Sequence, residues 1–150
     1  MDKILTTKDY DNISWHDNVI HSISMIDENW ESDLILGIDY ITKWICSDDN
    51  TCQFMVAPAK LVFHNVESLE LNIKKPGLQQ QSYLGMIIDE IIKEKTLRKS
   101  DKLNLWTFKF CDIGDAKENF KLSFVSSGFT QTLLKEPILK DEQSLMSYER

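Results

Sequence analysis

The sequence predicts a single α+β domain over residues 1–150, built mainly from an antiparallel β-sheet of hairpins with one or two short helices. Apolar and polar residues alternate in four segments, most clearly at Leu34, Leu36, Ile38 and Tyr40, at Leu69, Leu71 and Ile73, and at Phe120, Leu122 and Phe124. Period-two alternation is typical of an antiparallel sheet with one buried and one solvated face. A chain of 150 residues is also long enough to bury a sizeable core.

Segments of strand length recur through the first half of the chain, at 19–26, 33–41, 52–56, 59–64 and 68–73. The polar residues 27–32 join the first two segments at a spacing typical of a β-hairpin. Pro58 is expected to end the third strand, or to mark a bulge or a sheet edge, because proline donates no amide hydrogen.

The second half is predicted to add another hairpin, from strands at 105–110 and 120–124 whose aromatic residues can pair across the strands. The acidic residues 112–118 form its loop. Residues 129–133 can extend the sheet until Pro137 stops it.

The helical component is predicted at residues 139–150, where Leu145, Met146 and Tyr148 are available to dock on the sheet. Residues 84–95 stay open between helix and strand, because their isoleucines fit both periodicities.

The net charge of −7 lies entirely in the first half of the chain. Residues 1–75 contain 13 acidic and 6 basic residues, whereas residues 76–150 contain 11 of each. A nucleic-acid-binding protein needs a basic stripe, and an anionic membrane would repel the acidic half, so neither partner is expected. A basic protein partner or a cation would be attracted. The alternative is that the acidic charge serves solubility alone.

The cysteines and the N-terminal residues indicate a reduced, cytoplasmic protein. The N-terminus has no basic start followed by an apolar stretch, and no apolar run is long enough to cross a membrane. Three cysteines are an odd number, which disfavours a secreted, fully paired domain. Cys46 and Cys52 could meet across a hairpin, but in a reduced compartment we expect them to remain free thiols.

The densest cluster of candidate catalytic or metal-binding residues is Trp15-His16-Asp17, followed by His21. A histidine beside a carboxylate can hold a metal ion or act as an acid–base pair. His16, Asp17 and His21 are therefore candidate metal ligands, with His64 to be brought in by folding. On a regular strand His16 and His21 point to opposite faces, so a shared site requires a bulge. A structural turn with hydrogen-bonded side chains is the alternative.

Candidates for contact with a partner are Trp15, Trp30, Asp48 and Asp49. Trp30 lies in the predicted hairpin connection, where an exposed tryptophan would mark a contact surface. Asp48 and Asp49 lie in an acidic turn that, like the loop at 112–118, does not match a calcium-binding loop. The alternatives are that the tryptophans pack at the core edges and that the acidic residues only form turns.

No cofactor is expected. The chain has no Gly-x-Ser-x-Gly elbow, phosphate loop or dinucleotide fingerprint, and its five glycines leave little from which to build a phosphate cradle.

The segment Trp15-His16-Asp17, the alternating strand at 19–25 and the return through residues 38–41 to Trp44 resemble a group of small uncharacterised bacterial proteins. The His-Asp pair before an alternating strand also resembles immunity proteins of polymorphic toxin systems. This resemblance implies a mostly β fold without an assigned activity, and it supplies no catalytic residues.

Two functions follow as expectations. The first is a non-catalytic cytoplasmic binding protein, an immunity-like inhibitor that neutralises a basic protein partner. The second is an enzyme or metal-binding domain built around His16, Asp17, His21 or His64. A homodimer formed through an exposed strand edge is a third possibility.

Overall fold

The computed structural model describes residues 3–74, 86–96, 102–111 and 120–150, which form ten β-strands and two 3₁₀ segments. The strands are β1 Ile4–Thr6, β2 Val19–Glu28, β3 Glu31–Cys46, β4 Cys52–His64, β5 Glu67–Ile73, β6 Met86–Lys95, β7 Asn104–Phe110, β8 Phe120–Ser126, β9 Gly128–Leu133 and β10 Ile138–Lys140. The 3₁₀ segments are Thr7–Asn12 and Ser147–Glu149. The predicted, mainly antiparallel sheet is confirmed, whereas the helical part of the α+β prediction is reduced to these two short segments.

All the strand pairs are antiparallel and follow the order β1-β9-β4-β3-β2-β6-β7-β8-β5, with β10 paired to β4 beside this path. The link between β2 and β6 is short, because only Val19 and Ile20 pair with Ile87 and Met86. The predicted hairpin of residues 19–41 is present as β2 and β3, and its strands meet at Glu28 and Glu31.

The core forms where the two ends of this path face each other. Phe63 of β4 is fully buried, and its ring centroid lies 5.1 Å from that of Trp106 and 4.7 Å from that of Phe124, both in edge-to-face geometry. Leu34, Leu36, Ile38 and Leu122 are fully buried in the same cluster. The apolar faces predicted for the strands at 33–41 and 120–124 therefore meet in one interior.

Strand β4 passes through Pro58 without ending there, so the first of the three alternatives for this residue is wrong, whereas an unpaired edge position fits it. Pro58 pairs with Asp39 of β3, and its carbonyl oxygen accepts a hydrogen bond from the amide of Leu134. On the edge of β4 that does not face β3, the neighbouring strand is β9 along residues 59–64 and β10 along residues 54–56. The missing amide of proline therefore faces the junction, where a ladder bond is not required.

The structure corrects or completes three other predictions. Residues 138–140 form β10 and only Ser147–Glu149 turn helically, so a helix over 139–150 is wrong. The ambiguous segment is a strand from Met86 onward; residues 84 and 85, like the loop at 112–118, lie outside the described residues. Leu71 and Ile73 keep 41% and 37% of their surface exposed, because β5 ends the path and in the described ranges pairs only with β8. No helical stretch within those ranges is long and apolar enough to cross a membrane.

Candidate functional site

His16 and Asp17 lie in a tight turn that docks on strand β6. The amide of Asn18 donates to the carbonyl of Trp15 at 3.0 Å, and the amide of Asp17, at φ 63°, donates to the carbonyl of Ile88 at 2.8 Å. An aspartate tolerates this left-handed conformation better than most residues. The turn positions both side chains beside β6. Its hydrogen bonds agree with the alternative interpretation of this segment as a structural turn.

The side chain of His16 is half exposed and has carboxylates on two sides. Its Nδ1 lies 3.2 Å from Oδ1 of Asp89, and its Nε2 lies 3.5 Å from Oδ2 of Asp17. The ring also stacks on Trp44 at a centroid distance of 6.3 Å. The Asp17 carboxylate accepts a further hydrogen bond from Nε2 of Gln143 at 2.8 Å. The structure thus brings two of the three candidate metal ligands together and adds Asp89, which the sequence analysis did not identify.

His21 does not join this pair. It lies at a bulge of β2, between the pairs of Ile20 and Ser22 with β3, and its Nε2 is 3.8 Å from Oδ1 of Asp39. The ring occupies the space over Gly37, where an added Cβ would come within 2.6 Å of Cε1 of His21. Across the described ranges, no three histidine, cysteine or acidic side chains gather as metal ligands would.

His64 is held at a third place. Its Nδ1 lies 3.6 Å from Oδ2 of Asp33, and its Nε2 is 2.9 Å from the hydroxyl of Thr130. The three histidines therefore share no aspartate, and folding does not bring them into one site.

A pocket of about 260 Å³ lies beside His16. Its lining residues are Tyr10, Asp11, Ile13, Ser14, Trp15, His16, Asp89, Glu90 and Ile91. Sites that enclose drug-sized ligands measure about 300–1,000 Å³. This pocket is smaller than that range, so it is too small to enclose a nucleotide-sized cofactor.

Trp15 is a core residue, which corrects its prediction as a contact residue. Only 4% of its surface is exposed, and its indole Nε1–H donates to Oε1 of Gln131 at 2.8 Å. Its ring packs edge-to-face on Phe129 at 5.4 Å. The polar sequence around Trp15 did not indicate this burial, because Phe129 and Gln131 come from β9, more than 110 positions away.

Trp30, in contrast, is fully exposed at the tip of the β2–β3 hairpin. Glu28 pairs with Glu31, so Asn29 and Trp30 form a two-residue turn with φ values of 52° and 67°. Both central residues of a type I′ turn have positive φ, for which Asn-Gly is the preferred sequence. Trp30 therefore occupies a position where glycine is preferred.

The surroundings of Trp30 are acidic and partly apolar. Met25 and Ile26 of β2 are more than 40% exposed near the same end. Four acidic residues also belong to this end of the hairpin, namely Asp27, Glu28, Glu31 and Asp33. The sequence contains no lysine or arginine between Lys8 and Lys43, so neither strand contributes one of these side chains near the tip.

Asp48 and Asp49 are exposed in the β3–β4 turn, as the sequence predicts. The Asp49 carboxylate accepts hydrogen bonds from the hydroxyls of Ser47 and Thr51, the second at 2.7 Å, and these bonds lower the pKa of Asp49 to about 2. Asp49 therefore serves its own turn, in line with the alternative that the acidic residues only form turns.

A disulfide joins Cys46 and Cys52 at the base of this turn, contrary to the expectation of free thiols. The two residues are register partners at the end of the β3–β4 pairing, so the hairpin itself brings their side chains together. The sequence allowed Cys46 and Cys52 to meet across a hairpin, and only the expectation of a reduced compartment counted against the bridge.

A buried ion pair between Asp39 and Arg150 was not predicted. Asp39 is fully buried on β3, and Arg150 donates from Nε to Oδ1 at 2.9 Å and from Nη2 to Oδ2 at 2.8 Å. An aspartate between Ile38 and Tyr40 was the available signal in the sequence, because a charged residue within an apolar strand needs a partner. The sequence could not identify that partner, which lies 111 positions away.

Comparison of the chain with protein-family models, with curated proteins and with solved structures finds no match.

Proposed function

We propose that this protein is a non-catalytic binding protein, an immunity-like inhibitor that docks the tip of its β2–β3 hairpin onto a basic protein partner. The observation that carries the proposal is Trp30, a fully exposed tryptophan in a left-handed backbone conformation among carboxylates. Tryptophan is enriched among the residues that contribute most to protein–protein binding, where it fills a pocket of the partner.

The conformation of Trp30 indicates that this residue does not serve the fold. A non-glycine residue in the left-handed region costs about 1–2 kcal/mol relative to the right-handed one. An indole that keeps its whole surface in water recovers none of that cost through burial. Contact with a partner would bury the ring and would explain a tryptophan at this position.

The charge of the hairpin supports a basic partner. Four carboxylates lie at the ends of the two strands that Trp30 joins, at Asp27, Glu28, Glu31 and Asp33, together with the exposed Met25 and Ile26. The complementary surface is an apolar pocket surrounded by lysine or arginine. Opposite charges on two such surfaces accelerate association and suppress wrong partners, and their effect weakens as salt screens them.

Replacing Trp30 with glycine is expected to stabilise the isolated protein by about 1 kcal/mol, since glycine adopts the turn without steric cost. Urea unfolding of the wild type and the variant measures the change. Trp30→Ala is the matched control, because it removes the indole but keeps the Cβ and hence the backbone cost. A loss of stability in Trp30→Gly would show that the indole packs within the fold, and would contradict its assignment as a free contact residue.

Binding is tested with three immobilised baits: the wild type, Trp30→Gly and a control with Asp48→Asn and Asp49→Asn in the other acidic turn. We expect a native-cell extract to yield one protein in equal amount to the wild type and to the control, and at least tenfold less on Trp30→Gly. The captured protein, once purified, should bind at 50 mM salt and at least tenfold more weakly at 300 mM. Equal capture on all three baits, or none on the wild type, contradicts the proposal.

The cytoplasmic location predicted from the sequence belongs to the same proposal. The disulfide between Cys46 and Cys52 counts against it, because disulfides persist mainly in oxidising compartments. The redox state of Cys46 and Cys52 in the native cell decides between a cytoplasmic location and an oxidising compartment.

A further inference from the structure

The segment 141–150, which we term the strap, lies across the face of β3 and β4 that points away from the main core. Leu145 is its apolar anchor, buried in a small cluster with Ile41, Phe54 and Val56. This cluster is separate from the main core, so the strap can detach without opening that core. Its polar contacts are of two kinds: Gln143 donates to Asp17 at 2.8 Å and Gln53 donates to Asp141 at 2.9 Å near its start, whereas Leu145 and Arg150 both bind Asp39.

Both oxygens of the Asp39 carboxylate are occupied by the strap. Arg150 donates to Oδ1 at 2.9 Å and to Oδ2 at 2.8 Å, and the amide of Leu145 donates to Oδ2 at 3.0 Å. This two-pronged pairing is the strongest geometry available between an arginine and a carboxylate. In the described ranges, Asp39 is thus the one fully buried carboxylate that the strap binds.

His21 faces the same carboxylate but is not bonded to it. Its Nε2 is buried, has no hydrogen-bond partner within the described part of the chain, and lies 3.8 Å from Oδ1 of Asp39, beyond hydrogen-bonding distance. Burial lowers the pKa of His21, the charge of Arg150 lowers it further, and Asp39 acts in the opposite direction. His21 is therefore held neutral beside an anion that Arg150 already neutralises.

We infer that His21 is an acid-sensitive release for the strap: a proton on His21 lets its imidazolium take the place of Arg150 on Asp39, and the strap opens. In the closed state a protonated His21 would be a second cation beside one carboxylate. In the open state Arg150 has left, and Asp39 is free to pair with the imidazolium. Opening therefore takes up one proton.

The other charged groups near this site are fixed elsewhere. Glu149 on the strap pairs with Lys140 at 2.8 Å, and the ammonium of Lys135 donates to the carbonyl of Arg150 at 2.7 Å. From β4, Lys60 is exposed opposite Gly37 and adds positive charge on this side of the sheet. Among the described residues, the imidazole of His21 is the group near Asp39 whose ordinary pKa lies closest to neutrality.

The direction of the pH dependence follows from linkage. The pKa of His21 is lower in the closed state than its ordinary value of about 6.5. In the open state the imidazolium pairs with Asp39, so the closed state keeps its full stability only above the pKa that His21 has in the open state. That stability is lost as the pH falls from there through the lower pKa of the closed state, below which the loss is complete. With one proton taken up, the opening constant rises by at most about tenfold per pH unit.

Amide hydrogen exchange of Leu145 tests the inference, since this amide is bonded to Asp39 only while the strap is closed. We expect its protection factor, corrected for intrinsic exchange, to fall about fivefold to tenfold between pH 6.5 and pH 5.5. The amide of Leu122 in the core should keep its protection. His21→Asn should abolish the pH dependence, and His64→Asn should retain it as the matched control.

Three outcomes would overturn the inference: constant protection of Leu145, an unchanged pH dependence in His21→Asn, or an equal loss at Leu122, which would indicate global unfolding. Should His21→Asn fail to fold, the ring resonances of wild-type His21 give the same information. Their titration midpoint must lie below 6.5, and most of the loss at Leu145 must occur above the pH of that midpoint. A midpoint at or above 6.5 contradicts the inference.

Discussion

Replacing Arg150 with methionine is expected to destabilise the protein by about 3 kcal/mol at pH 7.5. The variant takes the arginine from a fully buried carboxylate, and removing one partner of a buried pair costs about 3–5 kcal/mol. The lower end applies because a quarter of the Arg150 side chain lies in water, so the pair is not fully desolvated. Urea unfolding followed by tryptophan fluorescence measures the loss.

The double variant Asp39→Leu with Arg150→Met is the control for this experiment. Replacing a buried ion pair with apolar residues is often neutral, so we expect the double variant to recover more than half of the loss. Recovery should remain incomplete, because the amide of Leu145 loses its acceptor. A single variant as stable as the wild type would show that the pair contributes nothing to folding.

Replacing Phe63 with alanine is expected to cost about 3–5 kcal/mol, the range for large-to-small substitutions of a buried phenylalanine. Phe63 lies between strands from opposite ends of the sheet path, and its ring contacts those of Trp106, Phe108, Phe124 and Phe129. Each of these rings is itself held on a paired strand, so the cavity has little freedom to collapse. The cost should therefore lie in the upper half of this range.

Tyr148→Ala is the matched control for Phe63→Ala, because it also removes an aromatic ring, but from a residue that is 81% exposed. We expect it to change the free energy of unfolding by less than about 0.5 kcal/mol. Urea unfolding measures both variants. A loss below about 1.5 kcal/mol for Phe63→Ala would show that the two ends of the sheet do not rely on this residue to pack.

Periodicity predicted the strands because alternation reports directly on which residues face the interior. Leu34, Leu36 and Ile38 are buried together as the pattern requires. The same pattern failed at Leu71, where alternation indicated a buried face on a strand that ends the sheet path. Alternation shows that a strand has two unlike faces, but it does not show whether another layer covers the apolar one.

The candidate site was predicted only where the determining contacts are local. Trp30 is exposed, and Asp49 serves its own turn, because short hairpin turns decide both arrangements. The burial of Trp15 depends on Gln131, and the role of Asp39 depends on Arg150. Both partners lie more than 100 positions away, and no spacing rule connects them to the residues they bind.

Pro58 also determines how the chain leaves the sheet. Lacking an amide hydrogen, it cannot complete the ladder at the point where β9 ends, and the chain resumes beside β4 only at Ile138. The gap separates β9, whose Phe129 packs in the core, from β10, which leads into the strap on the opposite face of β4. A single imino acid thus marks the boundary along β4 between the strand that packs on the core and the short strand from which the strap departs.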